Sequence, residues 1–219
     1  MHTLYPFVTG PLAWLAFAIL IGGFVYQLVR LWFLAKNRDP EVLRYMNLHY
    51  SLRSIMAWSI PYLAKSWQKN PVVTGVTFAF HICLLAVPIF AGAHVLLWDQ
   101  FWDVRYWRLP AAATDVMTVV VILACLFFAF RRWRDPVVSY VSSLQDWIVL
   151  ILVFLPFATG FLAYHQIFHY PTMLIAHIVS GEVLLAALPF TRLAHALYAF
   201  LMRGYIGSEF GGVRRAHDW

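Results

Sequence analysis

Four histidines of this sequence lie inside long apolar stretches, where ionisable side chains are rare. His81 and His94 belong to one stretch, and His177 and His195 belong to another. A polar group in the hydrocarbon of a membrane is costly without a partner, so ionisable residues there are candidates for function. Imidazole is also a common ligand of transition metals and of haem iron. The four histidines are therefore the first candidates for chemistry in this chain.

The spacing of the histidines indicates where each imidazole lies across a membrane. His177 and His195 begin and end HIVSGEVLLAALPFTRLAH and are eighteen residues apart, which is five turns of an α-helix and about 27 Å along its axis. On one continuous helix they share a face and lie near opposite sides of the bilayer. Thirteen residues separate His81 from His94, which places them about 140° apart on an ideal helix. Pro88 lies between them, and we expect it to kink or re-register the helix.

The chain that must position these residues has the composition of an integral membrane protein. Hydrophobic residues make up 62% of its 219 residues and charged residues only 12%, which is too little charge to cover a soluble domain of this size. We predict an all-α integral membrane protein, a single membrane domain of residues 1–219 built as a bundle of five transmembrane helices. The predicted spans are approximately 11–34, 73–98, 111–130, 147–164 and 174–202.

Basic residues predict which side of the membrane each connection faces. All but two of the 16 Lys and Arg residues lie in the first and third connections with their flanks, or in the fifth span and the C-terminal tail. The exceptions, Arg105 and Arg108, lie in the second connection. The positive-inside rule therefore places the N-terminus outside and the C-terminus in the cytoplasm. The net charge of +6 then needs no nucleic-acid partner.

The longest connection, residues 36–71, mixes apolar and basic residues at roughly helical spacing in RYMNLHYSLRSIMAWSIPYLAKSW. We expect an interfacial helix on the cytoplasmic face. It serves either as a membrane-surface anchor or as a dock for a cytoplasmic subunit, and the pattern fits both. His2, His49 and His217 lie outside the spans and are expected to be solvated or interfacial.

With this topology the four imidazoles form two pairs by depth. Because the second and fifth spans run in opposite directions, His81 and His195 lie toward the inside, and His94 and His177 lie toward the outside. Paired imidazoles from facing helices can hold a six-coordinate haem. The pattern predicts two haem groups, an inner one on the first pair and an outer one on the second. With two cysteines and no CxxCH sequence, the chain excludes c-type haem and cysteine-bound iron–sulfur clusters.

Residues near these histidines favour haem over a bare metal ion. Gly92 lies two residues before His94, and Gly181 lies four residues after His177. Glycine lets a porphyrin plane approach the backbone closely. Arg192, one turn before the last histidine of the four, is a candidate partner for a haem propionate. Snorkelling of Arg192 to the lipid headgroups is an equally good explanation.

Three further ionisable residues are candidates for proton or quinone chemistry. Glu182 lies in the fifth span and either takes up protons at an outer quinone site or bonds to a neighbouring helix. His165 and His169, in HQIFH, have the i,i+4 spacing of metal ligands at the outer end of the fourth span. The motif lacks a Glu and a third ligand, which favours an interfacial cluster. A quinone pocket and a partner contact are the alternatives for these two histidines.

The chain resembles the gamma subunit of respiratory nitrate reductase, a haem b membrane protein. The resemblance covers essentially the whole chain and is carried by YPFVTGPLAW, by FHICLLAVPIFAGAH in the second span and by HIVSGEVLLAALPFTRLAH in the fifth. Within that superfamily the chain most resembles the cytochrome b subunits of the Tmc-type transmembrane redox complexes of sulfate-reducing bacteria. The nitrate reductase subunit has a shorter interval between its second-span histidines, a departure that argues against transferring its quinol pocket. Nitrate reduction itself belongs to a different subunit.

The resemblance implies two non-covalent haem b groups in a multi-pass protein of the bacterial inner membrane, with His81, His94, His177 and His195 as axial ligands. It also implies transmembrane electron transfer, with a periplasmic multihaem cytochrome c or the menaquinone pool outside and an iron–sulfur subunit in the cytoplasm. Quinol or quinone chemistry at the outer haem would follow. A haem-free membrane anchor that assembles such a complex is the main alternative. A small transporter is the third, and the hydropathy profile lacks the inverted repeat and broken helices that it predicts.

Overall fold

The computed structural model describes residues 4–219, except for the side chain of Val42, so His2 lies outside the described residues. Over that range the regular elements are all helical, as predicted from the sequence. The described residues also form two short π-helices, Val8–Leu12 and Glu209–Val213, and two short 3₁₀ helices, Leu188–Phe190 and Arg192–Ala194. The α-helices are α1 (Leu4–Phe7), α2 (Ala13–Arg38), α3 (Glu41–Tyr45), α4 (Leu48–Ser59), α5 (Lys65–Lys69), α6 (Pro71–Phe90), α7 (Gly92–Trp102), α8 (Ala111–Arg134), α9 (Pro136–Val141), α10 (Leu144–Tyr164), α11 (Tyr170–Ala187) and α12 (His195–Ser208).

Five helical stretches of the described chain are long and apolar enough to cross a membrane, and this confirms the prediction of five spans. The first span begins earlier than predicted. The second and fifth spans end earlier than predicted, because each of these two is interrupted. The stretches are Leu4–Arg38, Pro71–Phe90, Ala111–Arg134, Leu144–Tyr164 and Tyr170–Phe190.

Polar side chains fix where several helices begin. Asn47 accepts hydrogen bonds from two amides in the first turn of α4. Asp135 does the same for α9, which has Pro136 at its first position. Ser143 and Asp146 form a reciprocal capping box at the start of α10. Each cap satisfies amides that have no partner within the helix itself.

The chain divides into two compact units. The first comprises Val76–Leu184 together with the N-terminal stretch that ends at Leu12, and the second comprises Ala13–Gly75 together with Leu185–Trp219. The first unit therefore contains α1, α6 from Val76 onward, and α7 to α11 except for the last three residues of α11. The second contains α2 to α5, the first five residues of α6, and α12.

In the first unit, α8 packs against α10. An ion pair closes this contact near one end, where Arg132 Nη1 lies 3.6 Å from Asp146 Oδ1 and donates to Ser142 Oγ at 3.0 Å. Phe80 of α6 meets Phe128 of α8 edge-on, with ring centroids 5.4 Å apart. An aromatic contact and one partly buried ion pair thus join α8 to α6 and to α10.

In the second unit, α4 packs closely on α12 through small residues. Ser51 Oγ donates to the carbonyl of Gly204 and shares a hydrogen bond with Ser208 Oγ, at 2.8 Å in both cases. A Cβ atom on Gly207 would overlap with the side chain of Ser54. Small residues that let backbones approach, joined by hydroxyl hydrogen bonds, are typical of helix pairs in membranes.

The C-terminal tail folds back over α4. Ser54 Oγ donates to Asp218 Oδ2 at 2.5 Å, and Arg53 Nη2 donates to the carbonyl of Ala216 at 3.1 Å. Arg203 of α12 lies 3.5 Å from the same Asp218 carboxylate. The last residues of the chain are therefore part of the α4–α12 contact.

Residues 44–67, which the sequence predicts as an interfacial helix, do not form one continuous helix. The segment spans parts of three short helices, α3 to α5, and Pro61 follows the end of α4 two residues later. A residue before proline is driven out of the helical conformation, and Ile60 is extended. Ser51, Ser54 and Ala57 are buried, so α4 also contributes to the core of its unit.

Candidate functional site

The second span is interrupted just before His94. Helix α6 ends at Phe90, Ala91 is extended with φ −61° and ψ 136°, and α7 begins at Gly92. Pro88 in the last turn of α6 has no N–H, and its ring crowds the carbonyl four residues earlier. The expectation that Pro88 disturbs the helix is confirmed, and the disturbance is a complete interruption of the predicted span over 73–98.

The carbonyl groups freed by this break are satisfied by nearby donors of the same unit. The carbonyls of residues 88, 89 and 90 accept, in that order, from His94 Nδ1, the Tyr106 hydroxyl and the Leu109 backbone N–H, each at 2.8 Å. An unpaired carbonyl in an apolar environment is costly. The break is therefore stabilised as a defined structure, and one of its bonds fixes the imidazole of His94.

Tyr106 and Leu109 belong to residues 103–110, which connect α7 to α8. Arg105 Nε donates to Asp99 Oδ1 of α7 at 2.8 Å. This hydrogen bond and the charge of the carboxylate raise the pKa of Arg105 above its usual value. The connection is thus tied both to α7 and to the broken end of α6.

The fifth span is interrupted in a similar way before His195. The 3₁₀ turns Leu188–Phe190 and Arg192–Ala194 separate α11 from α12, which begins at His195. The prediction of one continuous helix that carries His177 and His195 on a shared face is therefore wrong. The physical reason is Pro189, which cannot donate a backbone hydrogen bond and clashes with the preceding turn.

Two residues of α2 hold this second break. Gln27 Nε2 donates to the carbonyl of Pro189 at 2.8 Å, and Gln27 Oε1 accepts from the Tyr198 hydroxyl at 2.7 Å. Gly23 lies one turn earlier on α2, where a Cβ atom would fall 2.5 Å from Cγ of Pro189. The Pro189 carbonyl, which the interruption leaves without a helical donor, is thus paired with a buried amide from a distant part of the chain.

All four predicted histidines donate an Nδ1–H hydrogen bond to a backbone carbonyl. Because a carbonyl oxygen only accepts, this bond fixes the tautomer in which Nε2 carries the lone pair. Histidines that bind metals are held in this way through the other ring nitrogen. The acceptors are Thr77 for His81, Pro88 for His94, Pro156 for His177 and Arg192 for His195, each at 2.8 Å.

The structure brings His94 and His177 together within the first unit. Their ring centroids lie 5.9 Å apart and the ring planes differ by 9°. Two imidazoles on opposite sides of one metal ion, with metal–nitrogen bonds of about 2 Å, have ring centroids ~6 Å apart. The donor set, its tautomers and its spacing are therefore compatible with two imidazole ligands of one metal ion.

The other predicted haem contacts are two glycines, two histidines and one arginine, and they remain predictions. A Cβ atom on Gly181 would meet nothing within 4 Å, and the nearest side-chain atom to one on Gly92 is 3.8 Å away. His81 belongs to the first unit, while His195 and Arg192 belong to the second. Arg192 is exposed in the turn directly before His195.

Glu182 is a buried acidic residue of α11. Only 8% of its surface is exposed, and within residues 4–219 neither carboxyl oxygen has a hydrogen-bond partner. The predicted bond to a neighbouring helix therefore has no counterpart among the described residues. A buried carboxyl group without a partner is costly, which keeps Glu182 a functional candidate.

His165 and His169 follow α10 instead of lying on it, so the predicted i,i+4 helical spacing does not apply. His165 Nε2 lies 3.3 Å from Asp115 Oδ1, and His169 Nδ1 shares a hydrogen bond with Thr172 Oγ1 at 2.9 Å. In the part of the chain that the structure describes, no three His, Cys, Asp or Glu side chains form a metal-binding group. Each of the two histidines has its own separate partner.

The breaks have a sequence signal that periodicity alone does not detect. PIFAGAH at residues 88–94 and PFTRLAH at residues 189–195 each place a proline six residues before a histidine and an alanine directly before it. This short repeated pattern coincides with both interruptions. It is the feature from which both could have been predicted.

Comparisons with known proteins cover most of the chain, including all four histidines. The family described as nitrate reductase gamma subunit matches residues 55–214. A protein of Nitratidesulfovibrio vulgaris (strain Hildenborough), whose name does not describe a function, is 31% identical over an alignment of 229 positions that covers 99% of this chain and 100% of that protein. No solved structure matches the chain significantly.

Proposed function

The chain belongs to the nitrate reductase gamma subunit family, and from this premise we propose that it carries electrons across a membrane on two haem b groups. The family indicates a membrane haem b electron-transfer subunit. The single observation that carries the proposal is the parallel pair of imidazoles, His94 and His177, with centroids 5.9 Å apart.

His94 and His177 would hold the outer haem through their Nε2 atoms. Haem iron supplies one-electron redox chemistry when it is bound. The carbonyls of Pro88 and Pro156 hold the Nδ1 protons, which orients both rings and makes Nε2 a better electron donor. If both imidazoles bound the iron, the site would favour electron transfer over oxygen chemistry.

The inner haem is assigned to His81 and His195, with Arg192 as the partner of a propionate. This assignment rests on the sequence and on the hydrogen bond that each ring makes within its own unit. Gly92 and Gly181 leave room for a porphyrin plane beside the backbone. Two haem groups at two depths would provide a path for electrons through a single membrane domain.

The distribution of basic residues supports an orientation with the N-terminus outside and the C-terminus in the cytoplasm of a bacterial inner membrane. Residues 36–71 and the Arg-rich tail then form the docking face for a cytoplasmic iron–sulfur subunit. A periplasmic multihaem cytochrome c, the menaquinone pool or both exchange electrons at the outer haem. These partners come from the resemblance to the redox complexes of sulfate-reducing bacteria.

Glu182 is proposed to exchange protons with quinone near the outer haem, with His165 and His169 close to the same site. The burial of this carboxyl group without a described partner supports that role. Both histidine-bearing spans are interrupted, as helices of many transporters are. The absence of broken helices is therefore no longer an argument against the small-transporter alternative. Membership of a haem b family nevertheless favours the cytochrome.

Haem content of the purified full-length protein tests the proposal. We expect two haem b per chain by pyridine haemochrome assay, and one after His177→Ala. The matched control is His49→Ala, which removes an exposed histidine outside the spans and should leave both haem groups. Absence of any haem from the wild-type protein would instead favour the membrane anchor that only assembles a complex.

A further inference from the structure

His177 rests on the backbone of α10 at one glycine. A Cβ atom on Gly160 would lie 2.8 Å from His177 Nδ1 and 2.9 Å from Cε1. One turn earlier on the same helix, the carbonyl of Pro156 accepts the hydrogen bond from Nδ1. The ring is thus held at one edge by a carbonyl and by a glycine that has no side chain.

The crossing of α10 and α11 at this point is built from small and polar residues. Thr159 Oγ1 and Ser180 Oγ lie 3.4 Å apart. Ser180 also donates to the carbonyl of His177 at 3.0 Å. These contacts fix the base of the imidazole side chain on α11, so the ring has little freedom to withdraw from Gly160.

Gly160 lies in the interior of α10, where glycine is an unfavourable residue. Glycine in the interior of a helix is less favourable than alanine by about 1 kcal/mol, so α10 is less stable for having one here. The cost is explained if the position must admit an imidazole ring. Gly22 of α2 offers a contrast, since a Cβ atom there would meet nothing within 4 Å.

We infer that Gly160 is a positioning residue, which together with the Pro156 carbonyl sets the place and tautomer of the His177 imidazole as an axial ligand. The inference rests on the proposed function for its consequence at haem. The contact between Gly160 and His177 does not require haem and can be tested without it.

Gly160→Ala in the full-length protein is the test. The new methyl group displaces the ring from its carbonyl partner, and disturbing such a supporting bond typically weakens metal binding 10–100-fold. We expect one of the two haem groups to dissociate at least 10-fold faster to apomyoglobin, with a shifted reduction potential and altered low-spin EPR signal. The other haem should be unchanged. Gly22→Ala is the control and should change neither.

A double-mutant cycle separates positioning from simple helix packing. With His177→Ala as background, the imidazole is gone and Gly160→Ala should no longer destabilise the protein against denaturant. Equal destabilisation in both backgrounds would overturn the inference, and so would an unchanged EPR signal in Gly160→Ala. Because the unfolding cycle needs no haem, it still decides the inference if the wild-type protein proves to contain none and the proposed function fails.

Discussion

The two interrupted spans share a local sequence pattern but differ in what stabilises the interruption. In both, a proline precedes a histidine by six residues, and the histidine donates to a carbonyl of the interrupted segment. The first break is closed by His94 and by the connection that follows it, residues 103–110. The second depends on Gln27, which lies 162 residues from Pro189 in the sequence.

This difference separates what a local motif determines from what the tertiary structure must supply. In both spans the helix is interrupted close to a proline, and the interruption leaves backbone carbonyls without helical donors. Where the chain nearby offers donors, the break is completed locally. Where it does not, a buried side chain from another helix is required, and the break becomes sensitive to substitutions far away in sequence.

The largest effect is expected for Gln27→Leu. The change leaves the Pro189 carbonyl and the Tyr198 hydroxyl without their buried partner, and we expect the free energy of unfolding to fall by about 3 kcal/mol. Denaturant titration in detergent micelles measures it. Gln68→Leu, which removes a more exposed amide, should cost about 0.5 kcal/mol. Equal losses in the two variants would show that the second break does not depend on α2.

Gly23→Ala should have an intermediate effect. The added methyl group would lie 2.5–2.9 Å from atoms of Pro189 and Phe190, and overpacking of this kind costs about 2 kcal/mol. The neighbouring Gly22→Ala adds the same methyl group where nothing lies within 4 Å. We expect Gly22→Ala to be neutral or slightly stabilising in the same titration. A stable Gly23→Ala variant would contradict the close contact between α2 and the break.

The smallest effect is expected for Tyr106→Phe at the first break. Only the Ile89 carbonyl loses a donor, and because this segment is largely exposed, water can replace the hydroxyl. The expected loss is about 0.5–1 kcal/mol, again from denaturant titration. A loss larger than that of Gln27→Leu would reverse the comparison between the two breaks.

The sequence was sufficient to predict the five apolar spans. Long apolar stretches determine helices in a membrane because backbone groups there must pair internally. Hydropathy did not predict the interruptions near Pro88 and Pro189, although α10 stays continuous around Pro156. Counting residues from His177 to His195 assumed one regular helix, whereas Pro189 interrupts it.

Long-range contacts could not be predicted from a single sequence. Nothing near Gln27 in the sequence indicates that its amide pairs with Pro189. The contact of α4 with α12 was missed because residues 36–71 resemble a surface helix by composition. The small residues Ser51 and Ser54, with Gly204 and Gly207 on the partner helix, are the signal that identifies it in retrospect.

The most direct test of the central claim compares His94→Ala with His177→Ala by redox titration of the haem absorbance. If both imidazoles bind the same iron, each variant loses the same one of two redox components, and the double variant loses no more than either single one. Loss of different components in the two single variants would contradict the pairing of His94 with His177.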